Sequence, residues 1–155
     1  MNRTRRGFTF IELLVVIIVL GLLAALGTLK YLDLKNRALT AQAASDMEAI
    51  RLAAYGAWYE TGVWPTEVGP GVVPTEMVAY LPKNFAFSRP EYTLDWENFA
   101  PPGGGTSASW QIGVVISSTN SRMQLALTQT LGNKGPFFIA GSDLTFVIVG
   151  PDGRS

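Results

Sequence analysis

From Phe8 to Leu29 the chain reads FTFIELLVVIIVLGLLAALGTL, twenty-two residues carrying one charged side chain, Glu12. A soluble core has no means of covering so much apolar surface on every side of one segment. At about 1.5 Å of rise per residue, a helix of this length spans roughly 33 Å, against about 30 Å for the hydrocarbon core of a bilayer. In lipid the backbone must satisfy its own hydrogen bonds, and for a single segment only a helix does so. The rest of the protein is therefore expected to hang from a membrane anchor. The leader before it, MNRTRRG, holds Arg3, Arg5 and Arg6. Positive charge stays on the cytoplasmic side, so the N-terminus is expected in the cytoplasm and everything beyond Leu29 outside it. Lys30, Lys35 and Arg37 weaken that bias without reversing it.

Helical patterning continues past the anchor. No proline interrupts residues 8–61, and Leu39, Ala43, Met47, Ile50, Ala54, Ala57 and Thr61 recur at steps of three or four. That is one apolar stripe on a helix, with Lys35, Gln42, Asp46, Glu48 and Arg51 falling mainly elsewhere on the wheel. Gly62 reads as a C-cap and Pro65 as a stop. The expectation is one helix over residues 8–61, roughly 80 Å long. Four zones follow: a leader (1–7), a transmembrane half-helix (8–29), an amphipathic half-helix (30–61) and a β-rich head (62–155). Residues 30–155 are expected to form one extracytoplasmic domain.

In the head, a Pro/Gly-rich crossing (62–74) leads to a short helix over Thr75–Leu81, and Tyr92, Leu94 and Trp96 alternate as in a strand. The stretch 100–109, APPGGGTSAS, has the composition of a loop. Trp110–Ser118 and Arg122–Thr130 both look strand-like, and the polar turn Thr119–Ser121 would join them as an antiparallel hairpin. Leu144–Val149 is a last apolar strand, and residues 150–155 are a tail. The fold class is α+β: one long helix whose stripe is covered by the apolar face of a small antiparallel sheet.

The composition removes several kinds of chemistry. There is no Cys and no His, which excludes disulfides, thiol or imidazole catalysis and zinc sites built from them. Twelve basic side chains balance twelve acidic ones with no basic stripe after the leader, so no nucleic-acid partner is expected. Pro101–Thr106 is glycine-rich but lacks the Gly-Lys-Ser/Thr ending of a phosphate loop. Asp95 and Glu97 share a strand face yet read as a solvated edge rather than a catalytic pair. Trp58, Trp64, Trp96 and Trp110 are expected in helix–sheet packing more than in a binding surface. Neither an enzyme nor a cofactor is expected.

The string Arg5-Arg6-Gly7-Phe8-Thr9-Phe10-Ile11-Glu12-Leu13-Leu14, running straight into the apolar segment, resembles the processing signature of type IV pilins and type II secretion pseudopilins. The resemblance is strong over residues 3–29 and looser to about Gly62. It implies that a membrane prepilin peptidase cuts after Gly7 and that the new N-terminal residue, Phe8, is N-methylated. Removing the three leader arginines would leave nine basic against twelve acidic side chains, a formal −3. The signature's glutamate falls on Glu12, one helical turn from the amine that Phe8 would carry. In low dielectric an unpaired charge costs more than a paired one, so pairing with a neighbour's amine would set the register between subunits. Gly21, Ala25 and Gly27 offer small surfaces for close helix approach. Many pilins carry a proline where this chain has Leu29, so no kink is implied there. Gly150-Pro151-Asp152-Gly153 is similar to part of a calcium loop in one class of pseudopilins, but the chain runs only two residues further, too few for six to eight oxygen ligands.

The resemblance implies a structural subunit of a type II secretion pseudopilus or a type IV pilus, a minor pilin included. Its partners would be other pilin or pseudopilin subunits, the prepilin peptidase/methyltransferase and an inner-membrane assembly platform. Its place would be the bacterial inner membrane, single-pass, with the head outside the cytoplasm, and a filament after assembly. A secretory signal peptide or a plain anchor would leave Gly7-Phe8 and Glu12 without a reason. A membrane-tethered binding module using the Trp and Tyr residues is the alternative from another class.

Overall fold

The structure, a computed structural model, describes residues 8–99, 111–131 and 135–150. The leader with Arg3, Arg5, Arg6 and Gly7, the 100–109 loop, Trp110 and Asp152 all lie outside those residues. The elements in chain order are α1 (Phe10–Thr61), a 3-10 turn (Thr75–Met77), β1 (Thr93–Asn98), β2 (Ile112–Ser117), α2 (Ser121–Leu131), β3 (Phe137–Ala140) and β4 (Asp143–Val149). The architecture is α+β, a long N-terminal helix and a four-stranded antiparallel sheet in the order β1-β2-β4-β3. The chain divides into two compact units, one ending at Asn36 and the other starting at Arg37.

In the first unit every described residue up to Lys35 is exposed, the whole apolar run included. α1 starts at Phe10, two residues later than the apolar pattern alone suggests, because Thr9 caps it. In the second unit, Ala43, Met47, Ile50, Ala54 and Ala57 are buried on one face of α1, as their spacing requires. Asp46 is buried there too, three residues after Ala43 and four before Ile50, contrary to its expected place off the stripe. The helix ends at Gly62, whose φ of 72° only glycine adopts without strain and whose N–H donates to the Trp58 carbonyl at 2.7 Å.

The sheet puts Leu94 and Trp96 of β1, Val114 and Ile116 of β2, and Leu144 and Phe146 of β4 on one face. These six join the α1 stripe in a single hydrophobic core. Trp96 is fully buried, Trp64 packs against the core, and Trp58 stacks on Trp64 at 5.5 Å while remaining 40% exposed. A two-residue turn, Gly141-Ser142, closes the β3–β4 hairpin, with Gly141 at φ 63° in the position that needs it. β3 had no signal in the sequence reading. The expected helix at Thr75–Leu81 contracts to the 3-10 turn, after which Leu81 N–H reaches the Met77 carbonyl at 3.1 Å and Pro82 follows.

One expectation is overturned. Arg122–Thr130 is no strand and makes no hairpin with Trp110–Ser118, because it lies in α2, and β2 pairs instead with β1 and β4. Met123, Leu125 and Leu127 alternate by coincidence, while the real period is four: Met123, Leu127 and Leu131 are buried and Leu125 is 64% exposed. Asn120 caps the helix, its Oδ1 accepting the Met123 N–H at 3.2 Å. A direct check is a pair of alanines. Leu127→Ala should cost about 2–5 kcal/mol of stability and Leu125→Ala under about 0.5 kcal/mol, read by denaturant unfolding. A strand would make the two costs alike.

Candidate assembly and processing site

The helix start brings Thr9 and Glu12 together. Thr9 Oγ1 accepts the Glu12 N–H at 3.3 Å, and the Glu12 carboxylate reaches back to accept the Thr9 N–H and hydroxyl, both at 2.8 Å. This is a capping box, Thr-x-x-Glu, in which two of the helix's unmade donors are satisfied reciprocally. Sequence reasoning singled out Glu12 but passed over Thr9. The spacing of Thr9 and Glu12 was the available signal. A carboxylate in the first turn also opposes the positive end of the helix dipole. Phe8, 83% exposed, immediately precedes the cap. Glu12 therefore sits on the same turn as the position where a new amine would appear.

Gly21, Ala25 and Gly27 are exposed along α1, and a Cβ built on either glycine meets nothing within 4 Å. The surface there is low and unoccupied. Lys30 follows the apolar run, and α1 contains a stretch long and apolar enough to cross a membrane.

Two polar clusters lie in the second unit. Arg89 Nε and Nη2 donate to Asp46 at 3.0 and 3.2 Å, and the Tyr92 hydroxyl donates to the same carboxylate at 2.7 Å. Burial and the bond to Asp46 push the Tyr92 phenol well above its usual range. This cluster ties α1 to the segment entering β1. The second cluster corrects an expectation. Asp95 is no solvated edge group: it is 8% exposed, and burial, with the charge of Glu67, pushes its carboxyl up to about 6. β1 is an edge strand, but the 62–74 crossing runs along it, with the Gly71 N–H donating to the Leu94 carbonyl at 2.8 Å. Among the described residues no group of three or more His, Cys, Asp or Glu side chains is arranged to hold a metal ion.

A capped, exposed apolar helix, long and apolar enough to cross a membrane, followed by a helix-plus-sheet unit defines a class: α+β proteins of pilin-like architecture. The family model for the prokaryotic N-terminal methylation motif matches residues 2–28. Over 72 residues the chain is 36% identical to a type IV major pilin protein, PilE1, of Neisseria gonorrhoeae, covering 46% of this chain and 34% of that one. A second such pilin, PilE of Neisseria gonorrhoeae, is 36% identical over 67 residues, 43% of this chain and 40% of that one. A fimbrial protein of Pseudomonas aeruginosa is 36% identical over 58 residues, 37% of this chain and 38% of that one. The matches thus span 34% to 40% of the length of these relatives. No solved structure matches the chain. The chain is type IV pilin-like and carries the N-terminal methylation motif.

Proposed function

We propose that this chain is a filament subunit, stored in the inner membrane through residues 8–29 and assembled through that same segment. The observation that carries the reading is Glu12, the one ionisable side chain between Gly7 and Lys30. An intramembrane carboxylate is costly unless it has work to do. Here the work is pairing with the amine that cleavage after Gly7 creates at Phe8, on the next subunit. Arg3, Arg5 and Arg6 hold the cleavage site at the cytoplasmic face. The prepilin peptidase/methyltransferase performs the chemistry on the chain, and an assembly platform receives the product. Gly21, Ala25 and Gly27 let neighbouring helices approach in the filament core. The head, residues 62–155, decorates the surface.

Intact mass of the protein purified from membranes tests the processing. The expected result is loss of residues 1–7 and addition of one methyl group at Phe8. A chain cut near Gly27, or not cut, overturns the reading. Of the two filament kinds, the small Cys-free head supports a type II secretion pseudopilus. The printed names of the relatives support a type IV pilus, as major or minor pilin. Gene deletion separates them: loss of a secreted protein from the medium marks the first, loss of surface pili the second.

A further inference from the structure

The two edges of the sheet are finished differently. Along β1 the outer side is occupied: the Leu94 N–H donates to the Phe87 carbonyl at 2.9 Å, and the Leu94 carbonyl accepts the Gly71 N–H at 2.8 Å. Along β3, the other edge, no further strand pairs among the described residues. The β3–β4 register fixes which backbone groups are left there. The Val147 N–H donates to the Pro136 carbonyl, which makes that pair a bonded one, and bonded and non-bonded pairs alternate along an antiparallel ladder. Phe138 and Ala140 therefore bond towards β4, while Phe137 and Ile139 turn their N–H and C=O outward. The side chains add an apolar rim to this edge: Phe138 is 39% and Ile139 49% exposed, on opposite faces of the strand. None of Phe137–Ala140 is charged or a proline, the residues that usually guard an edge strand.

We propose that this edge docks β3 of a second copy of the chain, antiparallel, with the two-fold axis at Phe138. A second copy offers the same edge, since its β1 is covered in the same way. With the axis at Phe138, Phe137 of each copy lies opposite Ile139 of the other. Every outward N–H and C=O then meets its counterpart, in about four hydrogen bonds. An axis at Phe137 or at Ile139 would leave one of the two outward residues facing no strand residue. The centred register also sets the two Phe138 rings at a non-bonded pair, where cross-strand side chains come closest. Such a pair is isologous and complete at two copies, so it is a contact separate from the head-to-tail one by which the proposed filament grows.

Because the chain contains no Cys, one introduced thiol reports the contact without background. The full chain in detergent micelles is mildly oxidised and run on non-reducing gels. Phe138→Cys should give at least roughly fivefold more disulfide-linked dimer than Ile139→Cys, whose two sites lie diagonally about 7–8 Å apart, too far to bridge. It should exceed by a similar factor the yield of Leu125→Cys, at an exposed position on α2. Adding Ile139→Lys to Phe138→Cys places a charge in the pairing at a position that tolerates one, and should cut the dimer at least roughly fivefold. Three results would each overturn the proposal: a Phe138→Cys chain that stays single, equal yields at the three thiol positions, or a yield indifferent to the lysine. In native membranes, a Phe138→Cys chain linked to a different protein and never to itself would overturn the second copy as the occupant.

Discussion

Glu12→Gln is expected to leave membrane insertion and leader removal intact and to suppress filament formation. The capping box explains why glutamine is the informative replacement. Its amide oxygen can still accept the Thr9 N–H and hydroxyl that the carboxylate accepts at 2.8 Å, so the helix start survives. What disappears is the negative charge. On the proposed pairing, the amine of a neighbouring subunit is then left without its partner in low dielectric, at a cost of about 2 kcal/mol near the membrane boundary. That converts to roughly 30-fold weaker docking per contact. The cost recurs at every subunit added, so a filament should be lost well before single contacts are. Thr9→Val supplies the reverse case. It removes the hydroxyl, costs about 1 kcal/mol of capping, and keeps the charge. Filament yield counted by electron microscopy, with leader removal checked by mass, should rank native, Thr9→Val, then Glu12→Gln far below. If Glu12→Gln assembles normally and Thr9→Val does not, the carboxylate is only a cap.

The parts legible in the sequence were those governed by local periodicity and chain punctuation. α1 could be read because the 22-residue apolar run admits one backbone solution, because the stripe from Leu39 to Ala57 keeps helical spacing, and because Gly62 ends it. β1 could be read from alternation, and β2 and β4 from short apolar runs. α2 could not, since Met123, Leu125 and Leu127 fit a strand as well as a helix. The arbiter was burial of Leu131 one turn further on, together with the Asn120 cap. The burial of Asp95 was beyond any local rule. At β1 the chain also meets the 62–74 crossing, through Gly71 and Pro65, a pairing that sequence spacing does not encode. Asp46 differs: its helical phase, three residues after Ala43 and four before Ile50, does place it on the buried face, against the expectation off the stripe, but an acid there makes sense only with Arg89 and Tyr92, more than forty residues away. In the candidate assembly site, Glu12 was conspicuous because charge in an apolar run is costly. Thr9 was inconspicuous because a threonine at a helix start costs nothing.

Asp46→Ala is expected to destabilise the second unit strongly. The wild-type carboxylate accepts two bonds from the Arg89 guanidinium and one from the Tyr92 hydroxyl, and Asp46 and Tyr92 are 8% and 3% exposed. Alanine strands a largely buried cation and a buried hydroxyl together. Breaking a buried ion pair from one side costs about 3–5 kcal/mol, a large share of the roughly 5–15 kcal/mol that holds a domain folded. Asp46→Asn should cost less, because its amide oxygen still accepts the Tyr92 hydroxyl and only the charge is gone. The decisive variant is the double change Asp46→Leu with Arg89→Met. If the penalty comes from the stranded charge, removing both partners should recover much of the stability lost in Asp46→Ala, because no ion is left unpaired. The Arg89 contact with the Phe85 ring, 5.3 Å from its centroid, is weaker and leaves the order unchanged. Urea unfolding of the full chain in detergent, followed by tryptophan fluorescence, gives the four values. A double variant no more stable than Asp46→Ala would show that the loss does not come from the stranded charge and that α1 is not tied to the head through it.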